Sequence, residues 1–187
     1  GTTLCDASVR RDVTYAQTDD APELTALDVF PLGEDEVRPV VIFVHGGGWV
    51  GGDKATHEEF PNFAEFFGDA GVNMVTINYR LVDDPRSPST TYAEQATDVA
   101  NAVAWVREHA AEFCGDPEQI VLLGHSAGAH LVALVGADPR YLAGTGMEPA
   151  DLAGVVALDV NAYDIPWSME HGAEHDYPAA AHNLPQV

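Results

Sequence analysis

The hydrophobic residues follow two different spacings along the chain. Short, unbroken apolar runs occur at Val40–Val44, Met74–Ile77, Ile120–Leu123 and Gly154–Leu158. Such runs are typical of strands that are buried on both faces of a sheet. Between the runs, apolar residues recur every three or four positions, which is the period of an amphipathic helix. The pattern therefore predicts strands that alternate with helices.

Three segments carry the helical spacing. Thr56–Gly71 begins with a threonine followed three residues later by a glutamate, as in a capping box, and its phenylalanines at positions 60, 63 and 67 share one face, where we expect core packing. Tyr92–Glu112 is the clearest helix, and Ala127–Val135 is the third. The apolar stripe of the clearest helix consists of Ala96, Val99, Val103 and Val106.

The chain begins with a predicted antiparallel hairpin. Two β-prone runs, Val9–Gln17 and Glu23–Phe30, flank the turn-rich stretch TDDAP. Parallel strands require crossover helices, so the alternation that follows predicts an α/β fold with a mostly parallel sheet and helices on both faces. With 187 residues, we expect a single domain over 1–187 and six strands. Residues 161–187 carry no strand pattern and are expected to form a loop or a lid.

The charge of the chain excludes two classes of partner. Eight Lys and Arg residues face 30 Asp and Glu residues, which gives a formal net charge of −22, and Lys54 is the single lysine. Such a surface repels nucleic acid and anionic membranes, so we expect neither as a partner. The acidic residues are spread along the whole chain, which suggests adaptation to high salt, where counterions screen the repulsion. No apolar run is long enough for a membrane helix.

The cysteines and the N-terminus bear on the compartment. Cys5 and Cys114 are either two buried thiols or one disulfide, and the disulfide would indicate an oxidising compartment. The chain opens with GTTLCDAS, which is no signal peptide. The protein is then either cytoplasmic, or secreted or periplasmic with its signal removed, and the second is slightly favoured.

The stretch GHSAG, from Gly124 to Gly128, lies between a predicted buried strand and a predicted helix. This is the pattern of a nucleophile elbow, in which a sharp turn exposes a serine above the sheet. The glycines two residues on either side leave room for the turn. The motif makes Ser126 the candidate catalytic nucleophile.

A second glycine-rich stretch, HGGGW, follows the strand Val40–Val44. A serine that attacks a carbonyl creates an oxyanion, which must be stabilised by preorganised N–H donors. In a nucleophile-elbow enzyme, these donors come from the residue after the serine and from an HGGG-type loop. The candidate oxyanion hole is therefore formed by the backbone N–H groups of Gly47, Gly48 and Ala127.

Taken in order, HGGGW with the following GDK, then NYRL, then GHSAG, resemble the α/β-hydrolase superfamily. Within it, the chain is similar to the hormone-sensitive-lipase-like carboxylesterases and the related arylformamidase-like esterases, over nearly all of residues 9–165. The resemblance implies an α/β-hydrolase fold, Ser126 as the nucleophile, and Gly47, Gly48 and Ala127 as the oxyanion hole. We expect no metal or cofactor. The resemblance also implies a small-molecule ester as substrate and leaves the oligomeric state open.

Several further residues near these motifs have candidate roles. His45 is expected to fix the glycine loop by hydrogen bonding, and His125 to give structural support beside the serine. Asp98 is expected to be solvated or tied to the Arg80 region. Asp53 and Lys54 are expected to pair with each other and shape the loop.

The resemblance implies that the catalytic acid and histidine follow later strands of the fold. Few residues remain after Val160, so we expect both beyond Val187, and we interpret the chain as the N-terminal two-thirds of an esterase that lacks its last two strands. A rearranged triad would instead use one of the later histidines and acids, His171, His175, His182, Asp159 and Asp164. The cluster His171, Glu174, His175 and Asp176 has the composition of a metal site but no supporting strand or helix context.

These features give three functional hypotheses. The first is a serine carboxylesterase that hydrolyses small or medium acyl esters through an acyl-enzyme on Ser126. The second is an aryl-formamide hydrolase that uses the same steps. The third is a binding protein that keeps the fold and has lost catalysis.

Overall fold

Six strands form one sheet in the computed structural model, which describes residues 5–60 and 62–158. The strands are β1 (Arg10–Thr14), β2 (Ala26–Phe30), β3 (Arg38–Val44), β4 (Asn73–Ile77), β5 (Gly115–His125) and β6 (Gly154–Leu158). Their order across the sheet is β1-β2-β4-β3-β5-β6. β2 pairs antiparallel with β1 and β4, whereas the β4-β3-β5-β6 pairs are all parallel. The predicted N-terminal hairpin and mostly parallel sheet are confirmed.

The register of the central strands brings the sequence motifs to one edge of the sheet. Val44, near the carboxyl end of β3, lies opposite Ile77 of β4 and Gly124 of β5. Parallel strands place their carboxyl ends at the same edge, which is where open α/β sheets bind ligands. HGGGW, NYRL and GHSAG therefore leave the sheet side by side.

Helices cover both faces of this sheet. The α-helices of the described part are α1 (Phe63–Asp69), α2 (Tyr92–His109), α3 (Ala127–Ala137) and α4 (Pro139–Ala143). Short 3₁₀ helices occupy Pro22–Thr25, Lys54–Glu59, Ala110–Phe113 and Pro149–Asp151. In this described part, no helix has the length and apolar character needed to cross a membrane.

The two faces of the sheet carry separate hydrophobic clusters. On one face, Ile42 and Val44 of β3 belong to a large core that also contains residues of α2 and α3. On the other face, Val41 and Phe43 pack against aromatic residues from the segment around α1. These aromatic residues are Phe60, Phe63 and Phe67, and Phe30 at the end of β2 packs against the same cluster. Helices on both faces are thus confirmed, as is the core role of the phenylalanine pattern.

The single helix predicted over Thr56–Gly71 is wrong, because the segment is broken in the middle. Phe60, which precedes a proline in the sequence, is extended, with φ −92° and ψ 115°. Asn62 then lies in the left-handed region, with φ 61°. The cap also differs from the prediction, because Asp53 accepts from Ala55 N and Thr56 Oγ1 accepts from Asp53 N.

Cys5 and Cys114 form a disulfide, with their Cα atoms 5.4 Å apart. Of the two alternatives left open by the sequence, the structure selects the one that ties the N-terminus to the body. Cys114 lies immediately before β5, at the end of that strand opposite to Ser126. The bond therefore anchors the sheet at the edge away from the motifs.

β6 lies at the edge of the sheet and has a strand partner on one side only, within the described residues. Its hydrophobic side chains are half-exposed, at 39% for Val155 and Val156 and 42% for Leu158. The six predicted strands and the open edge are both present in the described part of the chain.

Candidate active site

Ser126 occupies a strained turn between β5 and α3. Its backbone has φ 54° and ψ −119°, outside the regions that a residue with a side chain normally adopts. Strain of this kind persists only where the surrounding structure fixes it, and it is the geometry expected of a nucleophile elbow. The turn leaves the serine side chain at the carboxyl edge of the sheet.

The two glycines of GHSAG are required by packing. A Cβ atom on Gly124 would lie 2.2 Å from the carbonyl oxygen of Gly128, and a Cβ atom on Gly128 would lie 2.1 Å from the carbonyl oxygen of Val44. Both contacts are with backbone atoms, which cannot swing aside as a flexible side chain can. The start of α3 thus packs directly on β3 and β5.

Hydrogen bonds on both sides hold this turn. The N–H of Ser126 donates to Leu158 O of β6 at 2.9 Å, and the N–H of Ala129 donates to Ser126 O at 2.9 Å. These bonds tie the turn to the neighbouring strand and to its own helix. They offset part of the strain in the serine backbone.

The HGGG loop passes close to the serine. A Cβ atom on Gly46 would lie 3.0 Å from Ser126 Cβ, so only a glycine allows this approach without displacing the serine. Three consecutive residues then adopt positive φ: Gly47 at 121°, Gly48 at 59° and Trp49 at 66°. This conformation folds the loop back over the end of β3 beside the elbow.

The three predicted oxyanion donors lie in these two adjacent segments. In the described part of the chain, no acceptor takes a hydrogen bond from the backbone N–H of Gly47, Gly48 or Ala127. Unbonded N–H groups at a loop and a helix N-terminus are the arrangement an oxyanion hole needs. Their role in stabilising an oxyanion stays a prediction.

His45 anchors the first residue of the loop. Its ring stacks on Tyr79 with centroids 4.3 Å apart, and its Nδ1 lies 2.6 Å from Gly46 O. The hydroxyl of Tyr79 donates to His45 O at 2.8 Å. His45 is buried, and this burial lowers its pKa. The contacts fit the predicted loop-fixing role.

Trp49 is held from three directions. Its indole Nε1 donates to Nδ1 of His130 on α3 at 3.2 Å. Its carbonyl oxygen accepts from Gln95 Nε2 at 2.8 Å and from Val82 N at 3.0 Å. Sequence reasoning missed His130 and Gln95. For His130 a signal existed, since it lies one helical turn after the candidate nucleophile.

Asp98 and Lys54 are charged residues that bind partners in other segments of the chain. Of the two alternatives for Asp98, solvation is wrong because the residue is fully buried, and the tie to Arg80 is present. Lys54 does not pair with Asp53: its Nζ lies 2.9 Å from both Asp12 Oδ1 and Asp28 Oδ1. That prediction is wrong because the side chain of Lys54 turns back onto the β1–β2 hairpin. Asp53 instead caps the following 3₁₀ helix.

His125, the residue before Ser126, packs against Phe60. Its ring meets that of Phe60 edge-on, with centroids 5.2 Å apart. This contact agrees with the predicted structural role.

The acid and base of a triad are not among the groups that contact the serine here. Within residues 5–60 and 62–158, the hydrogen bonds found at Ser126 involve its backbone, and their partners are Leu158, Ala129 and His130. The alternative triad residues lie outside the described residues: Asp159, Asp164, His171, His175 and His182. The candidate metal cluster at 171–176 also lies outside them, and the described part holds no group of three or more potential metal ligands.

Curated relatives match most of this chain but only part of their own length. Esterase LipQ of Mycobacterium tuberculosis is 36% identical over 149 residues, which cover 74% of this chain and 33% of LipQ. The isoprenylcysteine alpha-carbonyl methylesterase ICME of Arabidopsis thaliana is 32% identical over 130 residues, covering 67% of this chain and 27% of ICME. The chain therefore spans about a quarter to a third of the length of these relatives.

Solved esterase structures share the fold. Esterase 2 of Thermogutta terrifontis superposes with a TM-score of 0.55 at 29% identity, covering 69% of this chain and 43% of that one. Esterase B of Lactobacillus rhamnosis gives a TM-score of 0.65 at 20% identity, covering 94% and 55%, and this likeness concerns the fold alone.

Family membership is shown by a match to a family profile that covers most of the described sheet. The BD-FAE profile matches residues 27–146, from β2 to the loop after α4, and includes both glycine motifs. The resemblance inferred from those motifs is confirmed, and the chain belongs to the BD-FAE family of hormone-sensitive-lipase-like α/β-hydrolases.

Proposed function

We propose that this chain carries the nucleophile and the oxyanion hole of a serine carboxylesterase. The observation that carries the proposal is the strained Ser126 elbow lying against the HGGG loop, with three backbone N–H groups in these segments that bind no acceptor among the described residues. Family membership supports an acyl-transfer reaction, because the relatives include proteins named esterase and carboxylesterase.

The proposed reaction proceeds through an acyl-enzyme. Ser126 Oγ attacks the ester carbonyl carbon while its proton passes to a histidine, and the N–H groups of Gly47, Gly48 and Ala127 stabilise the oxyanion. The C–O bond of the ester breaks, and the alcohol leaves with the proton from the histidine. Water then attacks the acyl carbon while its proton passes to the histidine, the bond between that carbon and Ser126 Oγ breaks, and Oγ takes the proton back from the histidine as the acid leaves. These steps use side chains, backbone N–H groups and one water molecule.

The proposed substrates are small or medium acyl esters. An aryl formamide is the alternative, because the same attack on an amide carbonyl releases an aromatic amine. Turnover of short p-nitrophenyl esters and of an N-formyl aromatic amine by the full-length protein separates the two. Ester turnover supports the carboxylesterase, and turnover of the formamide alone assigns the formamidase.

An organophosphate tests the nucleophile directly. Esterase 2 of Thermogutta terrifontis has been solved "phosphorylated by paraoxon", so paraoxon is a suitable probe. In the full-length protein, intact-mass measurement should show one diethylphosphoryl adduct that is absent in Ser126→Ala. The matched control is Ser8→Ala, at an exposed serine on the N-terminal segment, which should label like wild type.

Two results would contradict the proposal. Labelling that persists in Ser126→Ala would place the nucleophile elsewhere. Absence of labelling and of turnover in the wild-type protein would favour a binding protein that keeps the fold without catalysis.

A further inference from the structure

We propose that His130 is a positioning residue that holds the oxyanion loop against the nucleophile helix through the indole of Trp49. The proposal rests on the proposed esterase function, because it assigns the two residues a part in building that site. It extends the site to a pair of residues that are neither the predicted nucleophile nor predicted oxyanion donors.

The contact is a buried hydrogen bond between two side chains. Trp49 is 4% exposed and His130 is 2% exposed, and Nε1 of the indole lies 3.2 Å from Nδ1 of the imidazole. The rings meet at 81°, so the indole N–H points at the edge of the imidazole, where the lone pair lies. Buried polar groups left without a partner are costly, so each of these side chains constrains the other.

The bond joins the two segments that supply the predicted donors. Trp49 directly follows Gly48 in the loop, and His130 lies one turn after Ser126 on α3, with its backbone N–H donating to Ser126 O at 3.3 Å. Gly47 and Gly48 belong to one segment and Ala127 to the other. The Trp49–His130 bond therefore fixes the spacing between the two sets of N–H groups. Trp49 lies one residue after Gly48 of the first set, and His130 lies three residues after Ala127 of the second.

The loop needs such a link because its own conformation is unfavourable. Gly47, Gly48 and Trp49 all have positive φ, and for Trp49, at 66°, that region is disfavoured by the side chain. Gln95 holds the carbonyl oxygen of Trp49, but this bond leaves the side chain free to change rotamer. The bond to His130 fixes the indole itself and thus the direction in which the loop leaves β3.

The protonation of His130 suits an acceptor. Nδ1 can accept the indole N–H only when it carries no proton, which places the imidazole proton on Nε2. Burial lowers the pKa of His130 to about 4, so the ring is neutral near pH 7. The ring of Tyr92, at the start of α2, contacts the imidazole from another side, with centroids 5.9 Å apart.

The test compares two replacements in the full-length protein. His130→Leu fills the space without an acceptor, whereas the side-chain oxygen of His130→Asn can replace Nδ1. We expect His130→Leu to lower kcat for a p-nitrophenyl ester by about 10-fold to 100-fold with little change in KM, since a displacement of about 1 Å in a catalytic group costs rates of this order. His130→Asn should recover most of kcat. The control is His109→Leu, which disrupts another Trp–His contact at the far end of α2 and should keep wild-type kcat.

Trp49→Phe removes the indole N–H that donates to His130. This variant tests the same bond if His130→Leu does not fold. The double variant Trp49→Phe/His130→Leu should be no slower than the slower single variant, because both changes break the same bond. Wild-type kcat in His130→Leu, equal losses in His130→Asn and His130→Leu, or additive losses in the double variant would each overturn the proposal.

A spectroscopic measurement separates this proposal from the esterase function. In protein labelled with ¹⁵N-tryptophan, the indole N–H resonance of Trp49, assigned by its loss in Trp49→Phe, should shift in His130→Leu and stay near its wild-type position in His130→Asn. An inert wild-type enzyme that shows this shift would refute the esterase function while confirming the hydrogen bond. An unshifted resonance in His130→Leu would refute the bond, whatever the activity.

Discussion

Arg80 binds Asp98 through both its side chain and its backbone. Nη2 of Arg80 lies 2.7 Å from Oδ1 of Asp98, Nε lies 2.9 Å from Oδ2, and the backbone N–H of Arg80 donates to Oδ2 at 3.0 Å. Burial raises the pKa of Asp98, and the hydrogen bonds from Arg80 oppose that rise. The pair joins the loop after β4 to α2, next to Gln95, which bridges Arg80 O and Trp49 O.

Arg80→Ala should destabilise the protein by about 3 kcal/mol or more, because it leaves the fully buried carboxylate of Asp98 without its charge partner. Urea denaturation measures the loss. The matched control is Arg140→Ala, which breaks an ion pair whose arginine is 86% exposed and should therefore cost far less stability than Arg80→Ala. Equal losses in the two variants would contradict this account of the buried pair.

Gly128→Ala should unfold the protein or cost at least about 3 kcal/mol, because the added Cβ meets the backbone of β3. Gly144→Ala is the control: its φ is −63°, nothing lies within 4 Å of the added Cβ, and stability should be unchanged or rise by up to about 1 kcal/mol. Thermal denaturation of both variants is the measurement. A stable Gly128→Ala protein that still reacts with paraoxon would show that the helix start tolerates displacement.

Reduction of the Cys5–Cys114 bond should lower stability by about 2–5 kcal/mol, because the bridge closes a loop with a sequence separation of 109. Paraoxon labelling at 25 °C should keep its rate, since Cys114 and Ser126 flank opposite ends of β5, a strand about 35 Å long. The comparison is between Cys5→Ser/Cys114→Ser and wild type. An unchanged melting temperature would show that the bond does not stabilise the folded state, and slower labelling of the folded variant would show that the two edges are coupled.

Stability should fall as the pH drops from about 6.5 to about 4 through His130. The unfolded state takes up a proton near the ordinary pKa of 6.5, whereas burial holds the folded pKa at about 4, so acid favours the unfolded state within this window. Above pH 6.5, His130 is neutral in both states and does not lower the free energy of unfolding. Below pH 6.5, protonation of the unfolded state progressively lowers that free energy, by about 3 kcal/mol in total. Urea denaturation of wild type and His130→Asn over this range isolates the effect, since the carboxylates and His45 are common to both. A pH-independent difference between the two proteins would contradict it.

The melting temperature of the full-length protein should rise between about 0.1 M and about 1 M NaCl, because the screening length falls from about 10 Å to about 3 Å over that range. The chain carries a formal net charge of −22, so its self-repulsion is large at low salt. Sucrose at equal osmolality is the control for general solute effects. The salt hypothesis fails if the two additives raise the melting temperature equally or if salt has no effect.

The sequence predicts most of the sheet because buried parallel strands have unbroken apolar runs. The stripe of α2 is equally clear, and Ala96, Val99, Val103 and Val106 are all fully buried. The break near α1 was missed because the phenylalanine spacing matches a helix on both sides of it. The Pro61–Asn62 pair is the local signal that favours the break. The short helix α4 was also missed, although Asp138 and Pro139 form an N-terminal cap pattern.

The candidate site was predicted only where its residues adjoin in sequence. Ser126 and the glycines of both loops have local patterns that fix their geometry. The bond from Trp49 to His130 joins positions 81 residues apart, and Lys54 binds Asp28 at a separation of 26. Contacts of this kind depend on how strands pair in space, so a linear pattern of residue types does not determine them.

The hydrogen bond from Ser126 N to Leu158 O also sets an order of assembly during translation. The glycine loop, β5 and the serine all leave the ribosome before β6 has been synthesised. Until Leu158 emerges, the amide of Ser126 lacks the acceptor that it has in the folded sheet. The turn therefore gains this hydrogen bond only when β6 docks on β5, after the serine itself has been synthesised.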